Sequence, residues 1–316
     1  MFNKQYREET LKRFVKDYSL PIQPCTNELM PYYIDLYNPI FETQKKWQLF
    51  EDVLTHFKSE EEFLCYGNEL TDTITKQITA TPVYNEFNTC NLDNMMPVNQ
   101  KVRGVTYVKG VNLYIPNNHE QYFISVDLRK ANYQALRAFS KGIVLDTDSY
   151  DQLIEKFTDL EYFKNSKQIR QVIFGNLNMG RITRQVRFLN EKVLCRILDS
   201  GYTAEDILVF TTDEIIIKCK EPKFISKEAC ETMEQDIYDY TGLNAKVESF
   251  KLVNIYNDTY VKEHENELPT FKGGSSIYFP QVYKAYMGIP LEERDLYFMY
   301  EKHLAKFEKP LDIVIR

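Results

Sequence analysis

The stretch Tyr122-Phe123-Ile124-Ser125-Val126-Asp127, followed by Leu128-Arg129-Lys130-Ala131-Asn132-Tyr133-Gln134-Ala135-Leu136-Arg137, reads as a strand that ends on an acid and gives way to a helix. A second stretch, Ile207-Leu208-Val209-Phe210-Thr211-Thr212-Asp213-Glu214-Ile215-Ile216-Ile217, reads as two short apolar strands joined by a tight turn that carries two acids. Each therefore places a carboxylate where a buried strand ends.

Working outward, Val102–Val108 and Val111–Ile115 flank Lys109-Gly110, which predicts a hairpin. Pro116-Asn117-Asn118 makes a further turn into the strand that stops at Asp127. A helix is expected through Phe139, and Asp148-Ser149 offers a cap for another reaching Phe157. Residues 162–199 are helix-prone with an interruption near Gly175–Gly180, and Gly201 is placed to end that stretch. Ser226 to Tyr240 has amphipathic spacing, with Ser226 as N-cap and Gly242 as terminator, and Val247–Ile255 reads as a strand. Upstream, residues 1–20, Thr43–Phe57 and Ser59–Ile78 show helical spacing, Ser59 with Glu62 forming a capping-box pattern. Pro82–Pro97 reads as irregular. The order strand–helix then hairpin–helix–strand predicts an α+β fold, an antiparallel sheet backed by helices. The expected divisions are a helical region over 1–99, the sheet with a helical insertion (about 141–200) over 100–265, and an aromatic, helical extension over 266–316. Gly273-Gly274-Ser275-Ser276 reads as a flexible join.

The chain has 316 residues, enough to bury a substantial core, with 43% hydrophobic and 27% charged residues, as expected of a globular protein. Six cysteines and four histidines are scattered with neither zinc spacing nor a disulfide framework. The N-terminus lacks the apolar run of a secretory signal, and no run approaches the ~18 apolar residues of a membrane helix. A cytoplasmic protein with no membrane partner is expected. The net charge of −7 argues against a polyanionic partner, but its distribution is uneven. Within 161–200, Lys164, Lys167, Arg170, Arg181, Arg184, Arg187, Lys192 and Arg196 face only Glu161, Glu191 and Asp199.

Acids at the ends of neighbouring strands suit two-metal phosphoryl transfer, in which ions about 3.5–4 Å apart are bridged by carboxylates on rigid elements. Mg²⁺ prefers oxygen and takes one or two carboxylates plus substrate phosphates. On a helix, Arg170, Phe174 and Asn178 share one face at i, i+4 and i+8 and would offer a cation to a triphosphate and a ring to a base.

In that order the three segments resemble motifs A, B and C of the palm and fingers of family A DNA polymerases. Ser125-Val126-Asp127 and the helix after it are similar to motif A, and Thr212-Asp213-Glu214 to the His-Asp-Glu of motif C, with Thr in place of His. Lys167-Gln168-Ile169-Arg170-Gln171-Val172-Ile173-Phe174-Gly175-Asn176-Leu177-Asn178-Met179-Gly180 matches motif B in part, with Asn178 where the family has Tyr. The resemblance covers about 100–255. It implies that Asp127 and Asp213 hold two Mg²⁺ ions, with Mn²⁺ as an alternative, and that Glu214 supports them. It implies that Lys167 and Arg170 bind the triphosphate, with Phe174 and Asn178 at the nucleotide. Asn132 falls at the family's gate against the ribose 2′-hydroxyl, where DNA-making members carry Glu. Arg181, Arg184, Arg187 and Lys192 would then track the template.

The implied activity is template-dependent DNA synthesis from a primer 3′-hydroxyl, of a compact phage or plasmid type. The short interval between Phe174 and Asp213 implies reduced fingers, and no exonuclease segment is recognisable. DNA or RNA primer–template, nucleoside triphosphates and a processivity or replisome protein are the expected partners. Two alternatives stay open: a primase or small RNA polymerase, which the shorter Asn132 would permit, and a catalytically silent palm that binds nucleic acid. Each residue also has an ordinary reading: Asp127 as a helix cap, Asp213-Glu214 as turn residues, Phe174 as core, and Asn132 as a hydrogen-bonding helix residue.

Overall fold

In the computed structural model, which describes residues 4–110 and 113–313, the fold is α+β. The N-terminal helices are α1 (Glu8–Asp17), α2 (Met30–Phe41), α3 (Thr43–Leu54), α4 (Glu60–Thr79), α5 (Pro82–Thr89) and α6 (Leu92–Met95). Two short strands follow, β1 (Lys101–Val102) and β2 (Val105–Thr106), then β3 (Tyr122–Leu128). Helices α7 (Ala131–Phe139), α8 (Tyr150–Glu155), α9 (Glu161–Lys164), α10 (Lys167–Gly175) and α11 (Met179–Asp199) lead to the hairpin β4 (Ile207–Phe210) and β5 (Glu214–Lys218). Then come α12 (Lys227–Thr241), β6 (Ala245–Tyr256), β7 (Thr259–Glu263), β8 (Thr270–Gly273) and α13 (Phe279–Met287), with a separate hairpin of β9 (Tyr297–Tyr300) and β10 (His303–Lys306).

The main sheet is antiparallel throughout, in the order β4-β5-β3-β6-β7-β8. Its first four strands, with the helices between them, run β-α-β-β-α-β in chain order, with the two outer strands of the motif flanking a central pair. One face carries Ile124, Val126, Leu128, Ile215, Ile217 and Val247, all buried in the large core that α7, α11 and α12 close. The other face carries Phe123, Ile216, Phe250, Leu252 and Tyr260 at one end, beneath Leu113 and Tyr114, and becomes polar toward Asp127.

Local signals account for the helix ends. Ser59, Ser149 and Ser226 each accept a backbone N–H of their helix, at 3.2, 3.1 and 3.2 Å. Gly242 terminates α12 at φ +70. Several expectations are corrected. The Pro82–Pro97 segment is largely helical, because Pro82 occupies the first turn of α5, where a missing N–H costs nothing, and Thr81 caps it. The first hairpin turns at Arg103-Gly104, both at positive φ, rather than at Lys109-Gly110; Val111 of the expected second strand lies outside the described residues. The C-terminal region is not simply helical: Thr270–Gly273 adds an edge strand and Tyr297–Lys306 a hairpin. Gly273 and Gly274 are no flexible join. Both hold positive φ, and a Cβ on either would collide with Asp258 or Thr259.

The N-terminal helices share the core of the rest. The small helix α9 presents Tyr162 and Phe163 to Phe50 and Phe63, at ring distances of 6.0 Å (Phe50–Tyr162) and 5.6 Å (Phe63–Phe163). At the centre of this junction the fully buried Asp17 accepts from Ser166 at 2.6 Å, Tyr162 at 2.7 Å and Arg13 at 2.9 Å. Ser166 also caps α10, accepting the Ile169 N–H at 3.0 Å. Removing a buried partner leaves a cation and two hydroxyls unsatisfied. Asp17→Ala is therefore expected to cost about 3–5 kcal/mol in equilibrium denaturation, and Asp17→Asn clearly less, since an amide oxygen still accepts.

Candidate active site

Asp127, next to last in β3, lies directly opposite Glu214 of β5, and on its other flank opposite Lys246 of β6. Directly opposed residues project to the same face with Cβ atoms about 4.5–5.5 Å apart. Glu214, Asp127 and Lys246 thus make one row across three strands, and Ile216, Ser125 and Glu248 make the next polar-edged row. Asp213 sits in the turn entering β5, and its carbonyl accepts the Leu128 N–H at 3.0 Å, which laces the turn to the end of β3.

The turn is held from several sides. Thr211 Oγ1 accepts the Glu214 N–H at 3.2 Å, and the buried Asn190 of α11 donates to the Thr211 carbonyl at 3.0 Å. The Thr212 hydroxyl meets the Tyr107 hydroxyl at 3.0 Å, and Arg187 lies 3.6 Å from the centre of the Tyr107 ring. Neither acid is consumed by a local task. The N-cap of α7 is Lys130, in left-handed conformation, so Asp127 does not cap that helix. Thr211, not Asp213, closes the turn.

The charges on this face are unevenly paired. Glu214 accepts from Ser125 Oγ at 2.8 Å and stands 3.5 Å from Lys262 Nζ of β7. Lys262, 1% exposed, also bonds Glu248 at 3.2 Å and lies 4.3 Å from the centre of the Phe250 ring. Burial alone would raise the Glu248 carboxyl, but Lys262, Lys246 and His264 outweigh it and hold it at about 2. By contrast, Asp127 makes no side-chain hydrogen bond or ion pair among the described residues, and Asp213 receives only its own backbone N–H. Both side chains reach water while neighbouring protein crowds them. Crowding, then the charges of Asp213 and Glu214, push Asp127 up to about 6, and Lys262 and Lys272 only partly offset this. Burial and Glu214 raise Asp213 as well. Asp127 and Asp213 fit the one or two carboxylates that Mg²⁺ takes beside substrate phosphates. No cluster of three or more His, Cys, Asp or Glu side chains able to hold a metal occurs among the described residues.

Other expected residues fall into distinct groups. Asn132 is the second residue of α7 and half-buried. Arg170 lies 5.7 Å from the centre of the Tyr150 ring, and Lys130, three residues past Asp127, lies 5.4 Å from it. Arg170 is thereby grouped with a cation at the exit of β3. Lys167 is exposed at the start of α10. Arg170 and Phe174, one turn apart on α10, both meet the Tyr150 ring, Phe174 at 6.1 Å between ring centres, but Asn178 does not share their face, because α10 ends at Gly175. Phe174 is 2% exposed and packs in the core, so its ring has no free face for a base. Asn178 instead caps α11 through the Arg181 N–H at 3.3 Å. Three cations of the expected template track are used internally. Arg181 donates to the Cys90 carbonyl at 2.6 Å, Arg184 pairs with Asp93 at 2.5 Å, and Arg187 bonds the Asn99 carbonyl and stands 3.6 Å from Glu191. Lys192 is exposed, 4.7 Å from the centre of the Phe188 ring.

Sequence reasoning missed Lys262, Glu248, Lys130 and Tyr150. Asn257-Asp258 before β7 is a two-residue turn signal that would have exposed the strand carrying Lys262.

The raised Asp127 makes a stability prediction. The folded state holds a proton on this carboxyl where the unfolded chain has released it, so stability falls as pH rises from about 4 to 6 and the whole cost is present above that. Asp127→Asn should raise the Tm at pH 7.5 and leave it unchanged below pH 4. Excess Mg²⁺ or Mn²⁺ at pH 7.5 should raise the Tm of the wild type more than that of Asp127→Asn, as read by thermal denaturation.

A scan against protein-family models, a search of curated proteins and a search of solved structures each returned no match.

Proposed function

We propose that the protein is a metal-dependent nucleotidyltransferase that extends a nucleic-acid 3′-hydroxyl with nucleoside triphosphates, with template-dependent DNA synthesis as the leading form. The observation that carries this reading is the pairing of Asp127 with the Asp213-Glu214 turn at one end of a sheet, with two of the three acids making no ion pair among the described residues. Asp127 and Asp213 would hold the ions. Mg²⁺ bound there supplies charge neutralisation at the reacting phosphate and activation of the attacking hydroxyl. Glu214, fixed by Ser125 and Lys262, keeps the turn's charge in place and adds to the field that draws the cations. Arg170 lies beside Lys130 toward the exit of β3 and would balance negative charge on the triphosphate, joined by Lys130 on release from Asp151, with which it pairs at 2.7 Å. Phe174 has no part in this scheme.

A second reading, a palm that binds nucleic acid without catalysis, is favoured by the burial of Phe174 and the capping role of Asn178. Among the described residues no helix is long and apolar enough to cross a membrane.

The test is extension of a labelled primer on DNA and RNA templates with Mg²⁺ or Mn²⁺ and either deoxy- or ribonucleotides. The wild type should incorporate deoxynucleotides, and Asp127→Asn and Asp213→Asn should each lose at least about a thousand-fold, roughly 4 kcal/mol of transition-state stabilisation. Incorporation of ribonucleotides instead would establish the primase or RNA-polymerase alternative. No incorporation under any condition, with binding of the template retained, would establish the non-catalytic palm.

A further inference from the structure

The face of the sheet that carries Asp127 also carries a cation with no partner. From Asp127 the register runs to Lys246 on β6, along β6 through Glu248 and Phe250 to Leu252, from there to Lys262 on β7, and through Tyr260 to Lys272 on β8. Opposed residues share a face, and alternate residues along a strand return to it, so Asp127, Glu214, Glu248, Lys246, Lys262 and Lys272 all project from one side. Lys262 is satisfied by Glu214 and Glu248, and Lys246 by Glu248. Lys272 is half-buried and makes neither an ion pair nor a hydrogen bond among the described residues. Asp127 also lacks a pair, yet the two do not bond each other.

A chain under no other demand would let these opposite charges meet, because an unpaired, partly desolvated charge costs free energy. Keeping both unpaired on one face leaves a site with two poles, a cation-seeking one at Asp127 and Asp213 and an anion-seeking one at Lys272. Burial and the neighbouring Lys262 lower the Lys272 pKa while Glu248, Glu214 and Asp127 act to raise it, so all four are within electrostatic reach of its ammonium. Glu214 and Glu248 are already engaged by Lys262 and Asp127 makes no ion pair with Lys272, so the ammonium keeps its donors free for an external oxyanion. The apolar end of the face is closed by Leu113 and Tyr114, whose ring lies 5.6 Å from that of Tyr260, the register partner of Lys272. Lys272 thus neighbours a residue under this cover and shares a face with the open acids.

We propose that Lys272 binds a phosphate group of the substrate on the carboxylate face, apart from the Lys130–Arg170 cluster beyond the exit of β3. The inference rests on the nucleotidyl-transfer reading for the identity of the substrate. The phosphate belongs either to the backbone of the bound strand or to the nucleotide.

The test compares wild type, Lys272→Gln and Lys272→Arg for two probes in EDTA. One is a fluorescent primer–template duplex read by anisotropy across a salt series, and the other is inorganic tripolyphosphate read by thermal shift. Loss of a backbone contact should weaken duplex binding about three- to ten-fold and lower the slope of log K against log salt by about 0.9, with Lys272→Arg close to wild type. Loss of the tripolyphosphate shift with duplex binding intact assigns the phosphate to the nucleotide. Unchanged binding of both probes by a folded Lys272→Gln, or a wild type that binds neither, overturns the proposal. Lys272-dependent binding in a protein that extends no primer would sink the polymerase reading and leave Lys272 standing. Normal extension and binding by Lys272→Gln would do the reverse.

Discussion

The antiparallel register between β3 and β5 is the constraint from which the rest follows. It sets Asp127 across from Glu214 and brings the Asp213 carbonyl to the Leu128 amide. A slip of one residue would turn Asp127 into the apolar layer under α7 and α11 and send Val126 out to water. That slip is barred by Ile124, Val126, Ile215 and Ile217, which are all buried against the helices. The hydrophobic side of the sheet thus holds the polar side in place, and the acids converge because the apolar residues between them have nowhere else to go.

Convergence brings like charges together, and the fold relieves only part of the repulsion. Lys262, sealed behind Phe250, absorbs Glu214 and Glu248. A lysine this buried is tolerated because two carboxylates and a ring face surround its ammonium. Asp127 and Asp213 are left outside that arrangement. The selective relief is more informative than the repulsion itself: a site where every charge was balanced internally would have nothing to offer a cation. Stability given up at one place while the apolar side of the sheet packs fully is the pattern expected of a functional site.

Features set by local chemistry were legible from residues alone. The serine caps at 59, 149 and 226, the Gly242 terminator, the strand into Asp127 and the β4–β5 hairpin depend on neighbours a few positions away. Three kinds of error have physical causes. Helical spacing was extended across the break at Gly175–Asn178, which put Asn178 on a face it does not occupy. The Pro82–Pro97 segment reads as irregular because proline is expected to break a helix, whereas Pro82 starts one. Short strands such as Thr259–Glu263 and Thr270–Gly273 carry little periodicity of their own and form because β6 offers an edge to the first and β7 to the second. The charge partners of Asp127 were out of reach for the same reason: who neutralises whom is decided by pairing between distant segments, not by spacing.

The arginines of α11 have a consequence for how tenaciously the molecule could grip a long polymer. Arg181, Arg184 and Arg187 strap the 90–99 segment to the helix, spending on the protein itself charge that composition alone would have assigned to a polyanion. With few free ammonium and guanidinium groups along this helix, counterion release, the main source of residence time on a nucleic acid, is small. On the nucleotidyl-transfer reading proposed above, a catalyst of this build would let go after few additions and would owe long-range copying to a companion that encircles or tethers the template.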